Sequence, residues 1–457
     1  MYNVSQIIIT KHSNQELYEY CDKCSKLAKN LRNATLFRIR QNFTASGKSV
    51  LSENEQQVQD EIKLLEAAYP VKVKKVISYL HLEKLLRVTR NPDFFAGLPM
   101  QTSQAIVKAV VSDFKNWLAA LKAYKKEPDR FISKPKMPKY SKSDTVTFTI
   151  TNQDAVFHKT KQGLKMKLPG KLLVSVPHIP EEAVLKEVKV KPYYDSYLLL
   201  IVTEIDDVPI NKDFYNISSV DFGIDNIVAS VMNDGTSLIY KGGAIKSKNQ
   251  WFNKEKARLT SVLTKGHTNK KAYSKRIQNL CKGRDLFLND QLHKISRSYI
   301  KECIKHKVGT IILGVNKKWK QSINIGDVNN QNFVQMPFVK LRWMITYKAQ
   351  RAGILVLEQE ESYTSKADFL SDDVIPVYGN EDGPVHFSGK RIKRGLYQSK
   401  SGTLLNADLN GAANIMRKAV PDSMIKLSDF SFLNKSDVYG FHRLNPKGIP
   451  VKRIEAV

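Results

Sequence analysis

Cysteine is scarce in this sequence. Four residues among 457 cannot build a disulfide framework, which suits a reducing compartment, and the single CxxC pair, Cys21 and Cys24, has no second pair nearby to complete a zinc site. Long apolar runs are missing too: the stretches at 198–202 and 311–313 fall far short of the roughly 18 residues of a membrane span. The opening MYNVSQIIIT has neither a basic leader nor a small-residue cleavage site. These features predict a soluble cytoplasmic protein with no membrane partner. Acidic charge is the third deficit, because 44 Asp+Glu face 73 Lys+Arg and leave a net +29, an excess that predicts a polyanionic partner. The hydrophobic share of 42% excludes disorder for most of the chain, and the length allows about two to four domains.

What is present reads first as helix. Cys21 and Cys24 fall on one stripe with Leu17, Ala28 and Leu31, behind a Ser13-x-x-Glu16 capping box. They read as core cysteines, with a metal pair as the alternative. Cys303 likewise follows Leu288, Leu292, Ile295 and Tyr299 on one face. Helical character extends over residues 13–132 and is clearest after Leu98. There Ile106, Val110, Phe114, Trp117, Leu121 and Tyr124 recur at three- and four-residue steps, while Lys108, Lys115 and Lys122 recur every seven on another face. For one helix that basic face reads as solvated; in a chain this basic it becomes a candidate nucleic-acid surface. Gln101, Thr102 and Gln104 open the same helix, either as capping residues or as hydrogen-bonding partners for base edges.

A Pro/Lys/Ser-rich boundary, SKPKMPKYSKSD at 133–144, separates this region from segments of period two: 145–151, 164–168, 188–192 and 197–203. Their spacing predicts a small β-barrel or sandwich. From about residue 213 the pattern becomes strands followed by long helices, as in an α/β domain. Strands are expected at ISSV before Asp221, at 227–232, at TIIL (310–313) and at 353–360. Helices are expected at 250–264, at 271–307, between Pro337 and Gly353, and from NADLNG onward. No strong pattern marks the tail beyond Pro421.

Phosphodiester hydrolysis at neutral pH commonly uses two Mg²⁺ ions, and hard cations require oxygen ligands gathered at strand ends. Asp221 closes one strand, Asp408 stands where the chain enters a helix, and Glu358, Glu360 and Glu361 close a third element. Each alone reads as a turn or surface residue before it reads as a ligand. In their sequence context, VDFGIDNIVAS (220–230) resembles the first RuvC motif of TnpB, the transposon-encoded RNA-guided nucleases related to type V CRISPR effectors, and NADLNGAANIMRKA (406–419) resembles the third. GGAIKSKNQWFNKEKARL, DQLHKISRSYI, NKKWKQ, NNQNFVQMPF, EESYTSK and FSGKRIKRGLYQSKSGTLL, lying between them, are similar to one TnpB subgroup.

That resemblance implies an α+β multidomain protein. Residues 1–12 would be the first strand of a β-barrel wedge domain, 13–132 a helical recognition domain and 133–210 the rest of the wedge. An RNase H-like RuvC nuclease domain would follow at 211–364, with a helical lid at 250–307, and resume at 404–420 after a target-binding insert at 365–403, leaving a tail at 421–457. It implies a monomeric ribonucleoprotein, nucleoid-associated in a prokaryote. The protein would bind a structured guide RNA and cut double-stranded DNA beside a short flanking motif, with two Mg²⁺ held by Asp221, Glu361 and Asp408. The guide's source, transposon end or CRISPR array, stays open, as do a cleavage-deficient roadblock and a guide-free DNA-binding protein.

Two departures from the family stand out. Gly314 follows TIIL where the family usually places its second Glu, and some relatives carry that Glu in an ESYTSK-like motif on the next strand. Glu361 is therefore the candidate, with Glu360 as second choice, since neighbouring strands lie about 4.8 Å apart. The insert also lacks the family's zinc-binding cysteines, so no zinc is expected. It is predicted to pack around Phe369, Val377, Tyr378, Phe387, Ile392, Leu396 and Tyr397. Its basic run, with Lys390, Arg391 and Arg394, is either a phosphate site or a solvated loop. Trp251 and Trp319, beside lysines, either stack on bases or pack internally.

Overall fold

The computed structural model describes residues 2–161, 163–176, 178–266, 274–316, 335–379, 383–421, 431–433, 435–440 and 451–456. The chain divides into two compact units, Met1–Asp206 and Asp207–Val457. No helix among the described residues is long and apolar enough to cross a membrane.

In the first unit β1 (Tyr2–Ile9) precedes helices α1 (Gln15–Ala45), α2 (Glu53–Ala68), α3 (Tyr79–Val88) and α4 (Met100–Lys126). Strands β2 (Phe148–Thr151), β3 (Val156–Thr160), β4 (Gly163–Leu168), β5 (Leu172–Ser175), β6 (Val184–Tyr193) and β7 (Ser196–Glu204) follow. The cysteine stripe of α1 is buried together with Leu17, Ala28 and Leu31. Its N-cap is Asn14, whose Oδ1 accepts the Leu17 amide at 3.0 Å. Ser13 does not cap, because its hydroxyl donates to the Thr10 carbonyl at 3.1 Å in the preceding turn. On α4, Ile106, Val110 and Phe114 are buried; Trp117 is only partly so and donates its indole N–H to the Pro135 carbonyl at 3.2 Å.

The period-two segments pair as two sheets: a four-stranded one ordered β1-β7-β6-β2 and a three-stranded one ordered β3-β4-β5. Both share one apolar core with the helices. β3 reads VFHKT and is largely exposed, so no apolar alternation announces it.

The second unit is built on a seven-stranded sheet. Its strands are β8 (Asn216–Asp221), β9 (Asn226–Met232), β10 (Ser237–Lys241), β11 (Val308–Val315) and β12 (Leu355–Glu360). Helices α5 (Gly243–Thr264) and α6 (Lys275–Lys305) precede β11, and α7 (Phe338–Arg351) precedes β12. A three-stranded sheet of β13 (Lys390–Lys393), β14 (Leu396–Gln398) and β15 (Leu404–Asn406) leads into α8 (Ala407–Ala419). β16 (Lys435–Gly440) and β17 (Val451–Ala456) complete the large sheet, whose order is β12-β11-β8-β9-β10-β16-β17. β11 runs parallel to both β8 and β12, while β8, β9 and β10 are antiparallel.

Strand alternation sorts the two faces. Val220, Val228, Ile311 and Leu313 join Leu292, Ile295 and Tyr299 of α6 and Leu341, Met344 and Ile345 of α7. Ala229, Val231 and Ile312 join Leu409, Ala412, Ala413, Ile415 and Met416 of α8. The helix expected from residue 250 starts earlier, at Gly243. The patternless tail supplies β16, whose KSDVYG is too short and polar to read as a strand but pairs in parallel with β10.

Candidate active site

Asp221 ends β8 two residues beyond Ser219, whose hydroxyl donates to the Ala412 carbonyl of α8 at 2.6 Å. Both side chains therefore look toward α8. Register sets the neighbours: Leu313 lies beside Val220, and Gly314 lies beside Gln359, so Gly314 and the end of β12 come level with Asp221. The Glu361 amide donates to the Val315 carbonyl at 3.3 Å, and its carboxylate turns into the space over Gly314. A Cβ at 314 would stand 2.9 Å from Glu361 Oε2 and 2.6 Å from Ile415 Cδ1. The glycine is thus the room that the neighbouring strand's carboxylate fills.

α8 delivers Asp408. Asn406 caps the helix, its Oδ1 accepting the amides of Asp408 and Leu409 at 3.0 and 3.2 Å, which puts Asp408 in the first turn, where the helix dipole favours an anion. Asn226 Nδ2 donates to Asp408 Oδ2 at 2.7 Å. Gly411 lets the helix come close, since a Cβ there would stand 2.8 Å from Asp221 Oδ2. Buried Asn410 and Asn414, four residues apart on one face, brace the chain that follows Glu361. Asn410 donates to the Ala367 carbonyl at 2.8 Å, and Asn414 to the carbonyls of Thr364 at 2.9 Å and Ala367 at 2.7 Å.

Burial, reinforced by the charges of Asp408 and Glu361, pushes the Asp221 carboxyl well above the usual carboxylate range, and Arg391 opposes the shift. Glu361 is pushed up to about 7, by burial first and by Glu360 second. Its Oε2 is buried without a hydrogen-bond partner. A buried, unpartnered carboxylate oxygen close enough for its charge to raise Asp221 is costly unless a cation shares it, and an all-oxygen donor set fits Mg²⁺. Among the described residues no three His, Cys, Asp or Glu side chains converge on one ion's position. Glu360, the second choice, is committed elsewhere: Lys418 donates to it at 2.7 Å and the Ser362 amide at 2.7 Å. Burial alone would raise its carboxyl, but these donors outweigh that and lower it.

Of the residues predicted to touch nucleic acid, Lys108, Lys115 and Lys122 lie exposed on α4, and Lys390, Arg391 and Arg394 are exposed at β13. Gln101 is half-buried. Thr102 is fully buried, its hydroxyl without a partner, and Gln104 donates to Glu83 at 2.9 Å. At the start of α4, Gln101 is therefore partly accessible and Thr102 is not. Trp251 is half-exposed with the Lys248 ammonium 4.1 Å from its ring centroid; Trp319 lies outside the described residues.

Residues 365–403, read from the sequence as an insert, are held differently from the expected apolar cluster. Phe369 and Tyr397 are buried, whereas Val377, Tyr378 and Ile392 are exposed. The fully buried Asp368 does the holding. Its Oδ2 accepts from the hydroxyls of Ser371 and Ser399, each at 2.7 Å, and from the Lys400 amide at 2.8 Å. Asp373 accepts the Asp368 amide at 2.8 Å and the Ser388 amide at 3.0 Å, and Arg417 of α8 donates to the Asp373 carbonyl at 2.8 Å. Sequence reasoning missed Asn226, Asp368, Asn410 and Asn414; the i, i+4 asparagines amid Ala and Leu were the available signal.

Residues 201–320 match the family OrfB_IS605, described as a probable transposase, and residues 338–415 match the Cas12f1-like TNB domain. The chain is 31% identical over 252 residues to the TnpB-like protein ORF457 of Acidianus two-tailed virus, covering 53% of this chain and 50% of that protein. It is 30% identical over 131 residues to the CRISPR-associated endodeoxyribonuclease Cas12f1 of Sulfoacidibacillus thermotolerans, covering 28% and 26% respectively. The matches thus span about half and about a quarter of these relatives. In fold it is similar to the protein in a Cas12f1–sgRNA–target DNA complex, with a TM-score of 0.51 at 15% identity over 88% of this chain and 83% of that one.

Proposed function

We propose that this chain, a TnpB-like protein with a Cas12f1-like TNB domain, is an RNA-guided DNA endonuclease that hydrolyses phosphodiesters at Asp221, Glu361 and Asp408. The observation that supports this reading is the orphaned Glu361 Oε2, turned into the space over Gly314, the residue that stands where the family usually has its second Glu. The strand order β12-β11-β8-β9-β10, with β8 parallel to β11, supports an RNase H-like nuclease domain, and the insert supports a target-binding role.

The three carboxylates, on β8, after β12 and in the first turn of α8, would hold Mg²⁺, two ions being the common number for phosphodiester hydrolysis. When bound, the cations supply activation of water and charge neutralisation at the departing oxygen. The chain's own contribution is positional. Asn406 and Asn226 fix Asp408, Asn410 and Asn414 fix the turn behind Glu361, and Gly411 admits α8 to Asp221. Guide RNA and the target strand would occupy basic surfaces such as the Lys108, Lys115 and Lys122 face, with base pairing reading sequence and the protein reading a short duplex flank.

The test is Mg²⁺-dependent cleavage of supercoiled plasmid by the chain co-expressed with its flanking genomic RNA, against a target preceded by a randomised flank. Guide-directed linear product is expected. Guide-directed binding without a cut would show the Gly314/Glu361 arrangement to be inactive, and purification free of RNA would remove the guide from the reading.

A further inference from the structure

α6 and α7 pack against one face of the large sheet, through Leu292, Ile295 and Tyr299 of the first and Leu341, Met344 and Ile345 of the second. α8, which carries Asp408, packs on the other face. The outward side of the α6–α7 pair therefore faces away from α8.

Steps of three and four along α7 bring Lys340, Trp343, Tyr347 and Arg351 onto one stripe. Lys340 and Arg351 are exposed. Trp343 is 54% exposed, although tryptophan is on average highly buried, and its ring centroid lies 4.8 Å from that of Tyr347 with the planes tilted by 50°. Lys348 bridges the two helices. Its ammonium donates to the Ser296 hydroxyl at 2.6 Å and to the His293 carbonyl at 3.0 Å, which uses two of its three donors and leaves one for an outside acceptor. Burial first and Arg297 second push this ammonium down to about 8. The His293 ring is pushed down as well, by burial and then by Lys348 and Lys340, against the pull of Asp290.

The seam thus gathers cations that repel one another. Asp285 attracts Lys340 without pairing with it. The carboxylates of α6, Asp285, Asp290 and Glu302, pair instead with Arg284, Lys294 and Lys305 of the same helix, and Glu358 of β12 faces Arg342 at 3.5 Å. Among the described residues no salt bridge involves Lys340, Lys348, Arg351 or Arg297. Unpaired cations around an exposed aromatic pair match an unpaired nucleic-acid strand, whose bases offer faces to stack and whose phosphates take the charge.

We propose that the outer side of α6 and α7 is a further nucleic-acid surface, which takes an unpaired strand by stacking a base on Trp343 and holding adjoining phosphates with Lys340, Lys348, Arg297 and Arg351. The proposal rests on the reading of this chain as a nucleic-acid-binding protein.

The test titrates the full chain, stripped of RNA at high salt, with oligo-dT of about 12 nucleotides, a length within the usual site size. Tryptophan fluorescence reports the surface, and anisotropy of a labelled copy reports binding anywhere on the chain. The strand is expected to quench the wild type and Trp251→Phe alike, while Trp343→Phe loses most of the quenching. Trp343→Ala is expected to weaken binding at least about five-fold, and Arg297→Gln to flatten the salt dependence by about 0.7 in log–log slope. Undiminished quenching of Trp343→Phe overturns the proposal, as does equal quenching of the wild type by a blunt duplex or by polyglutamate, neither of which offers free base faces. Binding by anisotropy with Trp343 silent removes this surface alone. No binding of strand or duplex by either signal removes the nucleic-acid reading of the chain, and the proposal with it.

Discussion

Asp368 and Glu361 stand seven residues apart in sequence, both turned inward, and their surroundings treat them in opposite ways. Burial alone would raise the Asp368 carboxyl, but hydrogen bonds from Ser399, the Lys400 amide, Ser371 and the Leu370 amide outweigh it and hold the group below the ordinary range. Glu361 receives no such donors at Oε2 and is pushed up to about 7. A buried carboxylate supplied with donors is a fastening that remains charged. The same group deprived of them stores unfavourable charge that a cation relieves. The fold supplies donors where it needs rigidity and withholds them where the proposed chemistry needs a ligand.

The strongest way to break this contrast is to remove a ligand. Asp221→Asn or Asp408→Ala is expected to abolish guide-directed cleavage, a loss of at least about 10³-fold, while target binding measured by gel shift stays near wild type. If Asp408→Ala cuts at the wild-type rate, the site is misassigned. On the other side of the comparison, Asp368→Ala leaves several buried donors unmatched and should destabilise the second unit by about 3 kcal/mol. Urea denaturation would record the loss, and hydrogen exchange should localise it to residues 366–400.

Two smaller effects sharpen the contrast. Gly314→Ala places a Cβ against Ile415 and Glu361 and should cost about 1–3 kcal/mol of stability through overpacking, slowing cleavage by displacing the Glu361 carboxylate. Full activity in this variant would show that Glu361 does not act from that position. Glu361→Gln should make the metal-free chain more stable. The folded chain holds the Glu361 proton more tightly than the unfolded one, so the charged form weakens folding progressively as pH rises from about 4.5 to about 7. The substitution is therefore expected to add about 2 kcal/mol at pH 8 and nothing below pH 4.5. Denaturation curves in EDTA at the two pH values check it, and an equal gain at both would rule out the buried charge as its source.

Much of this site could be read from residue type and spacing because each motif residue has a local task. Asp408 stands at the entry to a helix, and strand alternation at 358–361 separates Glu361 from Glu360. Gly314 was legible as a departure, but not as an accommodation, since only the register of β11 against β12 shows which side chain takes up the freed space. The Asp368 knot joins residues some thirty positions apart, and no periodicity marks a contact of that kind. The burial of Thr102 was illegible for a related reason: it belongs to a polar-looking segment, and tertiary packing rather than amphipathic pattern buries it. β16 escaped notice because a short strand at the far side of a sheet is defined by its partner β10 more than by its own composition.

Within the first unit, β1 pairs with β7 along its whole length, from Tyr2 opposite Glu204 to Ile9 opposite Tyr197. Residues 2–9 must therefore wait for residues 197–204, in the last described strand of their unit, before they can pair. At the usual pace of translation this interval is on the order of 10–40 s, during which three consecutive isoleucines remain on an unmatched strand edge. The long loop closure makes this pairing a late event in folding. Nascent chains long enough to contain α1–α4 but not β7 are thus the species most prone to misassociate, and the stage at which a chaperone would matter most.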